Sequence, residues 1–375
     1  MLALQACCKA WNLQPFDAAW RLQYVLDFEV ESLNQACVTL NDDSTFRKRY
    51  QARHAIEQNW TSNRCRGYHI QCSVKIYWSA ICTPLARLLC LSHDRQLLLF
   101  DLQDGKEITR WRLSSSNSHA AATVRLDAFE QTHAAVDDGS GELSVWDISG
   151  AKQKQLACFK IERPSAVARI ALAIYGESLF LLEELASETV IRVWHYPSGR
   201  LLHSHSTREK LFAVNLHPMG PSSLFVESRL CVTLVEVGPQ GLYVTPSSLE
   251  LPLLGFVCRA DTRVSDRLLI CTGNAVHAFT AGKKPTPLRS TVRHMVDHAI
   301  HFRAPRHLVS PMGSLLLVDL KMGTKHAFVA QSMRGIGTLA VDFRFLVRTD
   351  GGRTISVWDF APPKQAPSDI TRNWC

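Results

Sequence analysis

The chain has 375 residues, of which 46% are hydrophobic and 20% charged, and its formal charge is +8. That balance fits one large folded domain with a small companion and excludes a disordered chain. No apolar run reaches the roughly 18 residues a membrane helix needs, and MLALQACCKAWNLQ lacks the charged start and long apolar core of a secretory signal. The expected location is therefore cytoplasmic, nuclear or both. The twelve cysteines contain no C-x-x-C pair. Those in apolar strand patterns (Cys82, Cys90, Cys158, Cys231, Cys258, Cys271) read as buried reduced thiols, with no metal site and no cofactor.

Residues 1 to 60 hold no glycine and one proline, and their periodicity is helical. Ala18, Leu22, Val25 and Phe28 recur at three- and four-residue steps and predict a first helix. After the turn-like Asn41-Asp42-Asp43, Ser44 or Thr45 is placed to cap a second helix, STFRKRYQARHAIEQNW. Its Phe46, Tyr50, His54 and Ile56–Trp60 side is expected to pack inward, with Arg47, Lys48, Arg49 and Arg53 solvated.

From residue 65 onward short strands replace helices, and one phrase repeats. LLLFDLQDGK, LSVWDISGAK, IRVWHYPSGR, LLLVDLKMGTK and ISVWDF are each an apolar strand, then usually Asp, then a turn. Weaker copies are VTLVEVG and VHAFTAG. The marker falls at Phe100, Trp146, Trp194, Val235, Phe279, Val318 and Trp358, with gaps of 46, 48, 41, 44, 39 and 40 residues. Strand-rich units at this period are the pattern of a WD-type β-propeller, here with seven blades over residues 65–361. Blade one reads as VKIYWSAI, RLLCLS, QLLLFDL and EITRWRL. Blades four to seven start near Phe212, Gly255, Ala299 and Gly337. The last blade ends at Phe360, before a Pro-rich tail over 362–375 expected to be disordered, and so lacks an outer strand. GYHIQC, just before blade one, is the expected donor, closing the ring with strands from both ends. Asp94, Asp138 and Asp350 are expected to accept turn N–H groups, and Trp146, Trp194 and Trp358 to pack in the core.

The head then becomes legible. CCKAWNLQPFDAAWRLQY resembles the second half of an F-box, carried by Cys8, Lys9, Trp11, Asp17, Trp20 and Arg21. FRKRYQARHAIEQNW is similar to the linker helix of F-box proteins with WD repeats, with Arg53, Asn59 and Trp60 in the R-x-x-x-x-x-N-W positions. The whole order resembles an F-box/WD-repeat protein: partial F-box helices over 1–30, a helical linker over 31–64, then the propeller. Met1 falls inside the F-box pattern, whose first half opens on Leu-Pro. The resemblance implies a substrate receptor of an SCF-type cullin ubiquitin ligase. Cys8, Trp11 and Trp20 would then contact a Skp-type adaptor, and the propeller's top face would hold a degron.

In that family, arginines on the innermost strands hold phosphorylated degrons, because the guanidinium fork matches a phosphate. The matching cations here are Lys75 in SVKI, Arg125 in TVRL and Arg169 in AVARIA. The alternative is that such cations reach solvent or pair with an acid such as Asp127. His93 and Asp137 stand where the family often has a further Arg, and Asp137 beside Asp138 would repel phosphate.

No P-loop, H-E-x-x-H, G-x-S-x-G or G-x-G-x-x-G motif occurs, and His294, Asp297, His298 and His301 lack a specific ligand spacing. No catalysis is expected, and the expected partners are proteins rather than membrane or nucleic acid. The alternative function is a WD-repeat scaffold for a multiprotein complex, without a ligase role.

Overall fold

A computed structural model describes residues 14–28, 45–113, 122–127, 132–150, 152, 154–161, 169–208, 210–211, 213–228, 231–244, 249–250, 267–272, 275–280, 286–288, 301–303, 306–309, 315–319, 325–328 and 339–362. For 14–16, 214 and 249–328 the description covers backbone only. Among the described residues, two helices precede a set of antiparallel sheets whose strands follow chain order. The first sheet runs Ile76–Cys82, Arg87–Ser92, Gln96–Asp101 and Glu107–Arg112. The second runs Thr123–Leu126, His133–Asp137, Glu142–Asp147 and Lys154–Lys160, and the third Arg169–Tyr175, Ser178–Glu184, Thr189–His195 and Arg200–Thr207. The fourth runs Ala213–Pro218, Ser223–Ser228, Cys231–Gly238 and Gly241–Val244, with Leu249–Glu250 also paired to its third strand. A three-stranded fifth sheet starts at Arg267 and a four-stranded sixth at His301. Phe212, Gly255, Ala299 and Gly337, expected as blade starts, lie outside the described residues.

The strand chemistry explains the layering. Second strands such as SLFLLEE are buried along their whole length, because they lie between neighbouring sheets. Outer strands such as KQLACFK are exposed at every charged position. Leu89, Leu99 and Trp111 of the first sheet share one core with Val124, Ala134 and Ile148 of the second sheet and its edge. Further cores join the second to the third sheet and the third to the fourth. Innermost strands sit side by side: Arg169–Tyr175 lies between Thr123–Leu126 and Ala213–Pro218, and Leu339–Val341 lies between His301–Arg303 and Ile76–Cys82. Sheets packed face to face around a common axis make a propeller-type fold.

The closing sheet joins the two ends of the chain. Its strands are Leu339–Val341, Phe345–Thr349 and Thr354–Asp359, and its outer strand is Arg66–Gln71. The pairing runs from Arg66 opposite Asp359 to Gln71 opposite Thr354, as the GYHIQC reading requires. Tyr68 then reaches the next sheet, donating its hydroxyl to the Leu102 carbonyl. Gly105 lies under this strand at φ +75°, where an added Cβ would meet the Tyr68 ring at 3.3 Å and Ile70 at 3.4 Å. Behind the strand, Arg344 grips Asp359 through two parallel 2.8 Å bonds.

The helical head departs from the sequence reading in three ways. The first helix, Gln14–Phe28, buries Trp20, Tyr24 and Phe28 against Phe46 and Tyr50 of the second, Phe46–Thr61. The predicted stripe shared only Phe28 with this face, and Ala18 and Leu22 are exposed. Three aromatic side chains remove more apolar area from water than the aliphatic stripe, and so set the rotation of the helix. In addition, Arg49 and Arg53 are buried rather than solvated, at 7% exposure each. Arg53 is sandwiched between the rings of Phe28 and Phe343, at 5.3 and 4.2 Å, and bonds Glu57 at 3.2 Å. Paired and stacked, the planar cation is tolerated inside. Thr45 makes no side-chain cap, and the Phe46 N–H donates to Asp17 of the first helix at 2.8 Å.

The second helix is fastened to the closing sheet. Trp60 is fully buried and stacks on Phe360 with centroids 3.6 Å apart, and its indole N–H donates to the Phe343 carbonyl at 2.9 Å. Asn59 donates to the Phe360 carbonyl at 2.9 Å. Trp60→Ala is expected to lower unfolding stability by about 3–5 kcal/mol, measured by chemical denaturation. Asp359→Asn, which leaves Arg344 facing a neutral partner in a buried site, should cost about 3 kcal/mol in the same assay.

Candidate functional site

The proposed ligand cations lie at the ends of the innermost strands, and strand register fixes their relative heights. Ile76 stands opposite Ser92, Thr123 opposite Asp137 and Arg169 opposite Glu184, which are equivalent positions of the first three sheets. In that frame Lys75 lies one residue before the level, Arg169 on it, and Arg125 two residues beyond. At about 3.3 Å per residue, Lys75 and Arg125 are staggered by roughly 10 Å along the strand direction. The stagger argues against one continuous basic arc.

Lys75 is exposed, and its carbonyl accepts the His93 N–H at 2.9 Å. Arg125 is half-buried and turned sideways. One guanidinium nitrogen donates to the Val124 carbonyl at 3.0 Å and another to Asn215 Oδ1 at 2.8 Å. Arg125 thus reaches past the third sheet to the innermost strand of the fourth. Asn215 passes the contact on, donating to Glu227 Oε2 at 3.0 Å, and His217 Nε2 lies 2.8 Å from the same oxygen. Glu227 is only 4% exposed. The result is a chain of polar groups, Arg125–Asn215–Glu227–His217, tying the second sheet to the fourth.

The sequence reading singled out Arg125 but missed Asn215, His217 and Glu227. The available signal was N-x-H in an innermost strand: alternate residues share a face, and both are polar where most neighbours are apolar. Glu227 is the cross-strand partner of Asn215. Other buried acids stand nearby in the fold. Glu184 accepts the Ala213 N–H at 2.7 Å, Glu183 pairs with Arg192, and Asp127 accepts the Gly176 N–H at 2.9 Å.

Two of the three turn aspartates accept turn N–H groups as expected, whereas in the turn of Asp94 the Gln96 N–H donates to Ser92 Oγ at 2.9 Å. Asp138 Oδ1 accepts the Ser140 and Glu142 N–H groups at 2.8 and 3.1 Å, and Asp350 accepts that of Gly352 at 2.8 Å. Asp94 is exposed. Trp194 is buried beside Phe159, while Trp146, its ring tilted against Trp111 with centroids 5.7 Å apart, and Trp358 are half-buried.

On the head, Cys8 and Trp11 lie outside the described residues. Trp20 faces inward at 3% exposure, with its ring centroid 5.1 Å from that of Tyr50. The apolar residues of this helix that meet solvent lie on its other side, two and six positions beyond Trp20. Those exposed apolar residues are Leu22 and Leu26, at 60% and 62%.

No group of three His, Cys, Asp or Glu is arranged to hold a metal among the described residues. His294, Asp297, His298 and the His301 side chain lie outside them. Burial pushes the Cys72 thiol up to about 11 and that of Cys82 to about 12, so both are neutral packing groups at physiological pH. Cys158, expected inside, is exposed on an outer strand. Cys258 and the Cys271 side chain fall outside the description. A Ser198–His195–Glu177 hydrogen-bond chain, with links of 2.7 and 2.9 Å, closes one turn of the third sheet. The Ser198 hydroxyl also donates to the His195 carbonyl, and the Glu177 side chain is 71% exposed. Water competes at that carboxylate, so the chain reads as a turn fastening rather than a preorganised catalytic site.

No protein-family model matches the sequence, and no curated protein does either. Solved structures do resemble the fold. Chaetomium thermophilum Raptor aligns with 83% of this chain at a TM-score of 0.61 and 10% identity. The chain spans only 31% of that protein's length. Virginiamycin B lyase from Staphylococcus aureus aligns over 79% of this chain and 99% of its own, at a TM-score of 0.53 and 10% identity. Likeness at this identity shows a propeller-type fold alone, and since one neighbour is a lyase, fold does not decide catalysis. No described helix is long and apolar enough to cross a membrane.

A double-mutant cycle of Arg125→Ala with Asn215→Ala is expected to give a coupling energy of about 0.5–1.5 kcal/mol by denaturant unfolding. Additive single losses would mean that the bridge between second and fourth sheets contributes nothing.

Proposed function

We propose that this chain is a non-catalytic receptor whose sheets are the seven blades of a WD-repeat propeller. In this reading it is the substrate-recognition subunit of an SCF-type ubiquitin ligase. The head contacts a Skp-type adaptor and the ring captures a protein target. Such a receptor does no chemistry. It raises the target's effective concentration near a conjugating enzyme.

The single observation that carries this reading is how the head is held. Arg53, Asn59 and Trp60, the positions of the linker resemblance, all close onto the sheet that completes the ring. A helix fixed by a stacked, hydrogen-bonded tryptophan carries what it binds at a set distance and angle from the ring. A positioning device needs that, and a tethered domain would not provide it. The first helix then offers Leu22 and Leu26 as an exposed apolar pair on the side away from its aromatic contacts. Trp20 supports that surface from beneath.

On the target side, Lys75 is the exposed cation. Arg125 is engaged with Asn215, and Arg169 starts its strand opposite Glu184. Phosphate would have to compete with the Asn215 side-chain oxygen and the Val124 carbonyl for Arg125. This favours a target held by mixed polar contacts over one held by phosphate alone. It is also the observation that favours the second reading, a scaffold without a ligase role.

The deciding experiment is a pull-down of purified Skp-type adaptor by the full chain and by a Leu22→Lys/Leu26→Lys variant. The receptor reading expects adaptor retained by the parent, and a loss of about ten-fold or more in the variant at unchanged thermal stability. A parent chain that retains no adaptor would leave the scaffold.

A further inference from the structure

The outer rim of a propeller is a row of sheet edges, and each edge presents unpaired backbone donors and acceptors unless something protects it. The rims of this protein are protected unequally. In the first sheet the outer strand EITRWR carries the Glu107–Arg110 ion pair at 2.6 Å. In the second, KQLACFK is bounded by exposed Lys154 and Lys160. Among the described residues the outer strands of the fifth and sixth sheets run three and four residues, and the outer edge of the fourth is divided between Gly241–Val244 and Leu249–Glu250. The third sheet is different. Its outer strand Arg200–Thr207, RLLHSHST, is the longest outermost strand among the described residues, at eight residues. After Arg200 it carries no Lys, Arg, Asp or Glu. Leu201 and Leu202 are 45% and 40% exposed, and Ser204 and Ser206 are exposed as well. The outermost strand of the fourth sheet runs beside it and adds Tyr243, 62% exposed, to the same rim.

Charge sits only at the two ends. Arg200 opens the strand, and Arg208 and Lys210 follow its last residue, all three exposed. Glu209 lies between them in sequence and outside the described residues. Two copies of the chain pairing antiparallel through this strand would set the Arg200 end of one against the Arg208 end of the other. Parallel pairing would set Arg200 against Arg200. Both place like charges opposite one another, which disfavours the second copy as occupant. A segment with a neutral alternating centre and acidic residues at both ends meets the opposite condition at each end.

We infer that the outer edge of Arg200–Thr207 is a docking site for an extended, acid-flanked peptide segment of a partner protein, which adds to the third sheet as a further strand. Main-chain hydrogen bonds supply the pairing, the leucines and Tyr243 give apolar contact, and the terminal cations set the register. The site is separate from the innermost strands and does not depend on the receptor reading.

The test uses the full chain and a fluorescein-labelled peptide, Glu-Glu-Val-Thr-Val-Thr-Val-Glu-Glu. Fluorescence anisotropy measures binding, and amide hydrogen exchange locates it. Exchange should slow in residues 200–207 on peptide addition. Arg200→Glu/Arg208→Glu should weaken binding roughly ten-fold, as should exchanging the peptide's acids for lysines. Two peptides N-methylated at alternate residues separate strand pairing from plain charge attraction. One set should abolish binding and the other should leave it, because only every second N–H faces the sheet. Equal binding by both methylated peptides, protection elsewhere, or none at millimolar peptide would overturn the proposal. So would a dimer of the unsubstituted chain assembled through this strand, which would make a second copy the occupant.

Discussion

The structure depends on one closure. A ring of sheets gains nothing from its last interface unless the two ends of the chain meet, and here they meet twice. Arg66–Gln71 pairs with Thr354–Asp359 along six registered positions, and Trp60 stacks on Phe360 immediately beyond that pairing. Either contact alone would leave an edge or an end to fray. Together they put a strand ladder and a buried aromatic pair in series, so that opening the ring breaks both. The Arg344–Asp359 fork and the Tyr68 bond to Leu102 then tie the closing sheet inward and to its neighbour. The contacts span nearly the full sequence separation, so loop-closure entropy opposes them most and they are the natural last step of folding.

That same closure explains why the head is part of the domain rather than an appendage. Arg53 is buried because it sits between an aromatic ring of the head, Phe28, and one of the closing sheet, Phe343. Its charge is met by Glu57 one turn along the helix. A basic helix that looks like a wet surface in one dimension is therefore an interface in three. The distinction matters for function, since it fixes the direction in which Leu22 and Leu26 face relative to the ring.

Much of the fold was legible, and for a physical reason. In a ring of stacked sheets each blade repeats one burial pattern: continuous apolar runs in middle strands, alternation in outer ones, and Asp with Gly or Ser in the turns. RLLCLS and SLFLLEE show the first, and Asp138 and Asp350 the last. The donor strand was legible because a missing outer strand at one end and a spare one at the other are complementary. What escaped reading depends on partners distant in sequence. The rotation of the first helix is set by Tyr50 and Phe46, and the orientation of Arg125 by Asn215, 90 residues away. A strand pattern assigns Arg125 to a face but cannot say that Asn215 and Glu227 wait on that face.

This bears on how a propeller is used. Cations at innermost strand ends are a poor guide to ligand chemistry when acids of the adjoining strands are buried at the same level. Glu227, reached from Arg125 through Asn215, is an anion that a bound phosphate would have to displace or tolerate. Arg125 reaches that carboxylate only through the Asn215 amide, so what holds it is a hydrogen bond rather than an ion pair. The rim of the third sheet presents the opposite case: backbone groups at an open edge, neutral side chains, and cations confined to the ends. Among the described residues no strand pairs with that edge. Where recognition must be won against an existing bond, affinity is low and selectivity comes from geometry. Where the surface is already open, even weak contacts add directly. The inner network therefore serves chiefly to hold the sheets in register, and the rim is where this fold has unspent bonding capacity.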